Sequence, residues 1–265
     1  MVKGITKFFL IACILALIAT IILIFIKPWS TENKKIIYGP EIFLNKPSVP
    51  ESHQAFILKL IPLIQKANLI VLEERKVLKE IYNKVKTGKK ITQHEKNQLK
   101  KLESKYRGSI KKNLFQKKKS IILLYLSELI SRADIVPIRL ALAQAAIESG
   151  WGQSRFCLEG NAYFGIHCYK SGCGIKAKAD TEGGFEVKAY ENVQESVDDY
   201  ILFLNSKRGM QSFRNERLKY FHADEIPDLS KLAASIKGYS AIGNSYHEMI
   251  QSLFKSYIPE QIENY

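Results

Sequence analysis

The stretch LALAQAAIESGWGQSRF, from Leu140 to Phe156, contains a carboxylate where an apolar helix should have none. Such a helix would be buried, because apolar residues cover nearly all its sides. Glu148 closes it, with Gln144 one turn earlier on the same face. Gly150 follows, where a left-handed cap would end the helix. The sequence thus predicts a helix that opens after Pro137 and carries a carboxyl group in its last turn.

The environment of Glu148 predicts a raised carboxyl pKa. The helix macrodipole disfavours negative charge in a last turn, and apolar neighbours disfavour it by desolvation. A general acid needs a pKa of this kind to keep its proton near neutral pH. The alternative is a surface glutamate on an exposed helix end, and periodicity alone does not separate the two.

The segments AQAAIESGWGQSRF and GNAYFGI together resemble glycoside hydrolase family 73, the bacterial cell-wall N-acetylglucosaminidases with a lysozyme-like fold. CYKSGCG and YSAIGNSY are similar to the Bax-like branch of that family. The resemblance covers about residues 115–258, and more loosely the helices from residue 53. It implies an α+β, mostly α fold: a lysozyme-like catalytic domain with a short β-hairpin.

The resemblance also implies roles for residues near the helix end. Glu148 matches the catalytic acid, which would protonate the glycosidic oxygen of the scissile bond. Trp151, Asn161 and Phe164 would line the sugar cleft, and Gln144 would bind substrate beside Glu148. For Trp151 and Phe164, plain core packing is the competing interpretation.

A hydrolase usually needs a second carboxylate to activate water. The glycine-turned segment at residues 180–186 is similar to the family's short β-hairpin, and Glu182 is the first choice there, with Glu186 the second and a possible substrate contact. Either could instead be a solvated hairpin charge. Tyr239 falls where the family carries a cleft tyrosine, although this chain has Ile-Gly-Asn-Ser after it in place of Asp-Pro.

The charge distribution favours anionic partners. The 265 residues carry a formal charge of +14, and residues 73–119 hold 17 Lys/Arg against 5 Glu. This region is either a solvated helical face or a surface for an acidic polymer or membrane. Nucleic acid is not expected, because no aromatic residues interleave the basic ones as stacking platforms.

The N-terminus predicts a membrane anchor. Residues 8–26 are 19 residues without a charge, enough to span a bilayer, and no small-residue cleavage site follows. A lipoprotein signal ending at Cys13 is the less favoured alternative. The flanking lysines are nearly balanced, so they do not decide the orientation.

Two of the four cysteines favour an oxidising compartment. Cys168 and Cys173 flank a turn-forming stretch and could form a small disulfide, which is typical of extracytoplasmic proteins. A zinc site that adds His167 and Cys157 has the right number of ligands, but its spacing is unusual. We therefore favour the disulfide, with Cys157 as a buried thiol and no metal site.

The predicted organisation has five parts: a transmembrane anchor (1–27), a linker (28–52), a basic helical region (53–112), a glucosaminidase domain (113–258) and a C-terminal tail (259–265). The basic region should be a helical hairpin, with one helix from His53 to about Lys86 that Pro62 kinks or delimits. A capping box at Thr92 and Glu95 should open the second helix, which runs to about Tyr106.

The predicted function is cleavage of the β-1,4 bond after N-acetylglucosamine in peptidoglycan, by an endo-β-N-acetylglucosaminidase without a cofactor. The catalytic domain should be extracytoplasmic (periplasmic) on a single-pass anchor in the cell membrane. One alternative is a lytic transglycosylase, although the Gly-Leu-Met-Gln type of stretch that such enzymes carry is missing. The other alternative is a non-catalytic scaffold that binds the cell wall. The sequence does not indicate an oligomeric state.

Overall fold

The computed structural model describes residues 38–107, 114–177, 184–223, 228–236 and 244–262. These residues form nine α-helices, three short 3-10 helices and three short strands, so the predicted α+β, mostly α class is confirmed. The helices are α1 (Glu51–Lys86), α2 (Gln93–Tyr106), α3 (Lys119–Arg132), α4 (Ile138–Ser149), α5 (Arg155–Gly160), α6 (Val193–Ser206), α7 (Gln211–Ala223), α8 (Leu229–Ser235) and α9 (Asn244–Ser256). The strands are β1 (His167–Cys168), β2 (Gly174–Ile175) and β3 (Glu186–Lys188).

The long helix α1 contributes to two hydrophobic cores. Its first half packs with α4, α6 and α9 in one core. Its second half packs with α2 and α3 in the other. Residues from both sides of the predicted domain boundary at 112/113 therefore share each core, and the apolar stripe along α1 joins them. Its fully buried members include Ile57, Leu60, Ile61, Ile64, Leu78 and Ile81.

Local signals set most helix ends where the sequence predicted them. Thr92 and Glu95 form the predicted capping box of α2, which satisfies backbone N–H groups that have no partner within the helix. Gly150 ends α4 in the left-handed conformation, as predicted. Pro62 does not delimit α1, because the helix already begins at Glu51 and the proline lies inside it on an exposed face.

The loop between α3 and α4 is held by buried polar side chains. Asp134 forms an ion pair with Arg75 of α1 at 3.0 Å, and Arg217 of α7 donates to the backbone carbonyls of Asp134 and Ile135. Asn68 of α1 exchanges two hydrogen bonds with the backbone of Val136. This loop leads directly into α4, so these contacts fix the start of the helix that carries Glu148.

The small sheet has strand order β1-β3-β2, with both pairings antiparallel. Val187 of β3 lies opposite His167 on one side and Ile175 on the other. Both strands that pair with β3 therefore come from the cysteine-containing segment. Residues 178–183 lie outside the described part of the chain.

Within the described residues, α1 is the one helix long and apolar enough to cross a membrane by length and composition. Many of its apolar residues are buried against other helices of the same protein, and a core helix passes the same test. The predicted anchor at residues 8–26 lies outside the described residues.

Candidate active site

Glu148 is half-buried in the last turn of α4. Every apolar residue of this helix from Ile138 to Ala146 is buried, so the carboxyl group lies at the end of a segment that excludes water. Burial raises the pKa of Glu148, and a hydrogen bond from Tyr246 partly opposes this rise. The direction is the one predicted from the sequence, and it favours a protonated carboxyl at higher pH than usual for glutamate.

A chain of buried hydrogen bonds ends at Glu148. The Tyr200 hydroxyl of α6 donates to Oε1 of Gln144 at 2.6 Å. Nε2 of Gln144 then donates to the hydroxyl of Tyr246 in α9 at 2.8 Å. The Tyr246 hydroxyl in turn forms the hydrogen bond to Glu148. Three helices thereby fix the surroundings of one carboxyl group.

Gly165 brings the backbone close to Glu148. The residue has φ +58°, and a Cβ atom placed on it would lie 3.3 Å from Oε2 of Glu148. Glycine adopts this left-handed conformation without the steric cost that other residues meet. The absence of a side chain at position 165 therefore leaves room for the carboxyl group.

Three predicted substrate-binding side chains make contacts within the protein, two of them fully buried and Asn161 partly exposed. Gln144 is 0% exposed, so it supports Glu148 from behind and offers no surface to a substrate. Phe164 is 1% exposed and stacks on Tyr200 with ring centroids 3.9 Å apart, which is the core-packing alternative. Asn161 caps α5, and its Nδ2 donates to the carbonyl of Tyr190 at 3.1 Å.

Trp151 remains partly exposed at the end of α4. His53 of α1 stacks on its ring, with centroids 3.8 Å apart. Phe56 and Tyr257 contact the same ring in edge-on orientations. One face of Trp151 is thus covered by the protein, and a sugar contact stays a prediction for the rest of the ring.

Glu186 supports the cysteine-containing loop. It is buried, and its two carboxylate oxygens accept the backbone N–H groups of Gly172 at 3.2 Å and Gly174 at 2.9 Å. These hydrogen bonds lower the pKa of Glu186. A carboxylate committed to two donors is poorly suited to activate water. Glu182 and Tyr239, the other predicted catalytic residues, lie outside the described residues.

Cys168 and Cys173 form a disulfide in the structure, with their Cα atoms 6.2 Å apart. This is the pairing that the sequence favoured, and Cys157 is the buried free thiol. Both cysteines also lie near Glu186. The disulfide removes the two thiolates that the zinc alternative required, and His167 stacks on Phe185.

A cavity of about 380 Å³ lies between α1, α2, β3 and α6, and Glu148 does not line it. Its floor is largely apolar. Two of its charged residues are already paired, Lys188 with Asp199 at 2.6 Å and Lys105 with Glu74 at 2.7 Å. Neither lysine is therefore unpaired, and the carboxylates that line the cavity, Glu195, Asp198 and Asp199, do not include Glu148.

Sequence reasoning missed Tyr200, Tyr246 and Gly165 as parts of this site. A signal for the two tyrosines was present, because each lies on a buried apolar stripe, as Tyr246 does with Ile250 and Phe254. A buried tyrosine hydroxyl usually has a hydrogen-bond partner. The sequence did not show that both hydroxyl groups meet one glutamine.

Comparison with known proteins places this site in a family. Protein bax of Escherichia coli (strain K12) is 33% identical over 130 residues, which cover 48% of this chain and 45% of that protein. The match thus spans less than half of the relative's length. No solved structure matches the chain. The glucosaminidase family model, described as mannosyl-glycoprotein endo-beta-N-acetylglucosaminidase, matches residues 125–258. Because that match covers just over half of the 265 residues and includes Glu148, Gly165 and Tyr246, the chain belongs to this family of glycoside hydrolases.

Proposed function

We propose that this chain is a peptidoglycan hydrolase that cleaves the β-1,4 bond after N-acetylglucosamine, with Glu148 as the general acid. The half-buried carboxyl of Glu148, with its pKa raised by burial, is the observation that carries the proposal. Membership of the glucosaminidase family supports the class of sugar.

The surroundings of Glu148 suit both its protonated form, which donates the proton, and the carboxylate that remains afterwards. Before cleavage, burial keeps the proton on the carboxyl group, which can then donate it to the glycosidic oxygen. After cleavage, the carboxylate accepts the hydrogen bond from Tyr246. The same residue would thus be stable enough in both protonation states to complete a cycle.

Glu182 is our proposed water-activating carboxylate, and Tyr239 would hold an acetamido group or stabilise the developing charge. The hydrogen bonds of Glu186 favour Glu182 over Glu186 for this role. Glu182→Gln should lower the rate strongly while substrate binding survives. In the truncated variant Glu182→Ala, added azide should partly restore turnover, since it can enter the space left by a carboxylate that served the nucleophile. Full activity in Glu182→Gln, in Glu186→Gln and in the double variant would remove this step from the proposal.

We further propose that residues 8–26 anchor the chain and that the catalytic domain is extracytoplasmic. The disulfide between Cys168 and Cys173 supports an oxidising compartment. The net charge of +14 suits a wall polymer that bears peptide carboxylates.

Digestion of purified cell walls with the full-length chain tests the reaction. Mass analysis of the new ends should find reducing N-acetylglucosamine. Anhydro-muramyl ends would instead identify a lytic transglycosylase, in which an internal hydroxyl attacks and no water-activating carboxylate is needed. Binding to walls without release of fragments would identify a scaffold.

A further inference from the structure

The chain Tyr200–Gln144–Tyr246–Glu148 has a defined direction. Tyr200 has one hydroxyl proton, which forms a hydrogen bond to Oε1 of Gln144, with the two oxygen atoms 2.6 Å apart. The Gln144 amide therefore turns Nε2 towards Tyr246, to which it donates at 2.8 Å. Because the amide nitrogen Nε2 can donate hydrogen bonds but cannot accept them, the Tyr246 hydroxyl must accept from it. The proton of Tyr246 is then left for Glu148.

We propose that Tyr200 and Gln144 are positioning residues that orient the Tyr246 hydroxyl, so that Tyr246 donates a hydrogen bond to the Glu148 carboxyl group. The proposal rests on Glu148 being the general acid, and it adds the residues that set the acid's protonation. Gln144 is the necessary link, because its amide accepts on one side and donates on the other.

This arrangement sets how strongly Glu148 holds its proton. A hydrogen bond donated to a carboxylate stabilises the charged form, so Tyr246 lowers a pKa that burial raises. Tyr200 remains a neutral donor, because burial and the charge of Glu148 raise its own pKa. The working pKa of Glu148 is thus a balance between burial and one oriented hydroxyl group.

Helices α1, α6 and α9 supply the titratable residues to be considered around the Glu148 carboxyl group. Tyr246 of α9 and Tyr200 of α6 are the titratable residues that interact with Glu148 in the described part of the chain. Helix α1 also packs on α4. His53 of α1 stacks on Trp151, just beyond the end of α4, and burial lowers the pKa of this histidine.

Tyr200→Phe should release the orientation of the Gln144 amide while Tyr246 and Glu148 both keep their side chains. In Tyr200→Phe, either end of the Gln144 amide can face Tyr246. When Oε1 faces it, Tyr246 donates to Gln144 and the bond to Glu148 is lost. Tyr200→Phe should therefore raise the pKa of Glu148, as Tyr246→Phe does, but by a smaller amount.

The test is a ¹³C NMR titration of the full-length chain labelled at glutamate carboxyl carbons, with Glu148→Gln to assign the signal. We expect the pKa of Glu148 to rise by about one unit in Tyr246→Phe and by about half a unit in Tyr200→Phe. Tyr106→Phe is the matched control, because Tyr106 is also buried and donates to a carboxylate, Glu74, at 2.5 Å in the other core. That variant should leave the pKa of Glu148 unchanged.

The titration separates this proposal from the proposed function, since it needs no activity. An unchanged or lowered Glu148 pKa in folded Tyr246→Phe would overturn the donated hydrogen bond. A shift in Tyr246→Phe with none in Tyr200→Phe would overturn the orienting role of Tyr200 and Gln144. If wall digestion is observed, the alkaline limb of its pH–rate profile should move to higher pH in the order of the measured pKa values, because a general acid must be protonated.

Discussion

At the scale of single residues, the chemistry of Glu148 was partly predictable. A glutamate at the end of an all-apolar helix predicts desolvation, and the structure has that carboxyl half-buried with a raised pKa. Its partners were not predictable, because Tyr246 lies about a hundred residues away in sequence. Their meeting depends on how α4, α6 and α9 pack, which local patterns do not encode.

Gly165→Ala tests the close approach of the backbone to Glu148. The new Cβ would lie 3.3 Å from Oε2 of Glu148, at φ +58°. We expect a loss of about 1 kcal/mol in the free energy of unfolding from the left-handed conformation, together with a clear loss of wall hydrolysis. Gly88→Ala is the matched control, since Gly88 has φ +74° and no atom within 4 Å of such a Cβ.

The two glycine variants should therefore lose similar stability in denaturant unfolding but differ in their rates of wall hydrolysis. Gly88→Ala should lose similar stability and keep its activity. Equal rates in Gly165→Ala and Gly88→Ala would show that the space beside Glu148 does not matter.

At the scale of elements, the helix ends could be predicted from neighbouring residues, whereas the strand pairing of the sheet could not. The capping box of α2 and the glycine cap of α4 need only neighbouring residues, and both formed as predicted. The pairing of β3 depends on contacts with the disulfide loop, up to about twenty residues earlier. The sequence predicted a catalytic or substrate-binding role for Glu186, whereas its carboxylate holds that loop.

Glu186→Gln should loosen the disulfide loop. The amide can accept from one of the N–H groups of Gly172 and Gly174, but its NH₂ group cannot accept from the other. We expect faster reduction of the Cys168–Cys173 disulfide by dithiothreitol, measured by alkylation and intact mass. The exposed Glu191→Gln is the control, with an unchanged reduction rate. No difference between the two variants would rule out a supporting role for Glu186.

At the scale of the whole molecule, a buried ion pair between the cores positions α4. Asp134 lies beside Arg75 at 3.0 Å and more distantly beside Arg217 at 3.8 Å, and all three side chains are almost fully buried. The sequence predicted that a helix opens after Pro137, at the end of this loop, but not the partners of Asp134, which come from α1 and α7. Long-range ion pairs of this kind leave no periodic pattern in a sequence.

Asp134→Asn should strongly destabilise the protein. Two buried guanidinium groups would lose their carboxylate, and breaking a buried ion pair costs about 3–5 kcal/mol. Chemical denaturation should show a loss of this order. Glu128→Gln removes the partner of Arg132 in a pair whose carboxylate is 57% exposed, and should cost less than about 1 kcal/mol. A similar small loss in both variants would contradict the structural importance of Asp134.

The measurement that tests the central claim most directly is the release of reducing ends from purified cell walls by Glu148→Gln, made as the full-length chain, with Glu191→Gln as the control. The substitution keeps the shape of the side chain and removes its acidic proton, so the fold and thermal midpoint should be kept. We expect less than about a tenth of the wild-type rate, because a general acid contributes factors of roughly 10² to 10⁴. A folded Glu148→Gln chain that keeps more than about a tenth of that rate would contradict the assignment of Glu148 as the general acid.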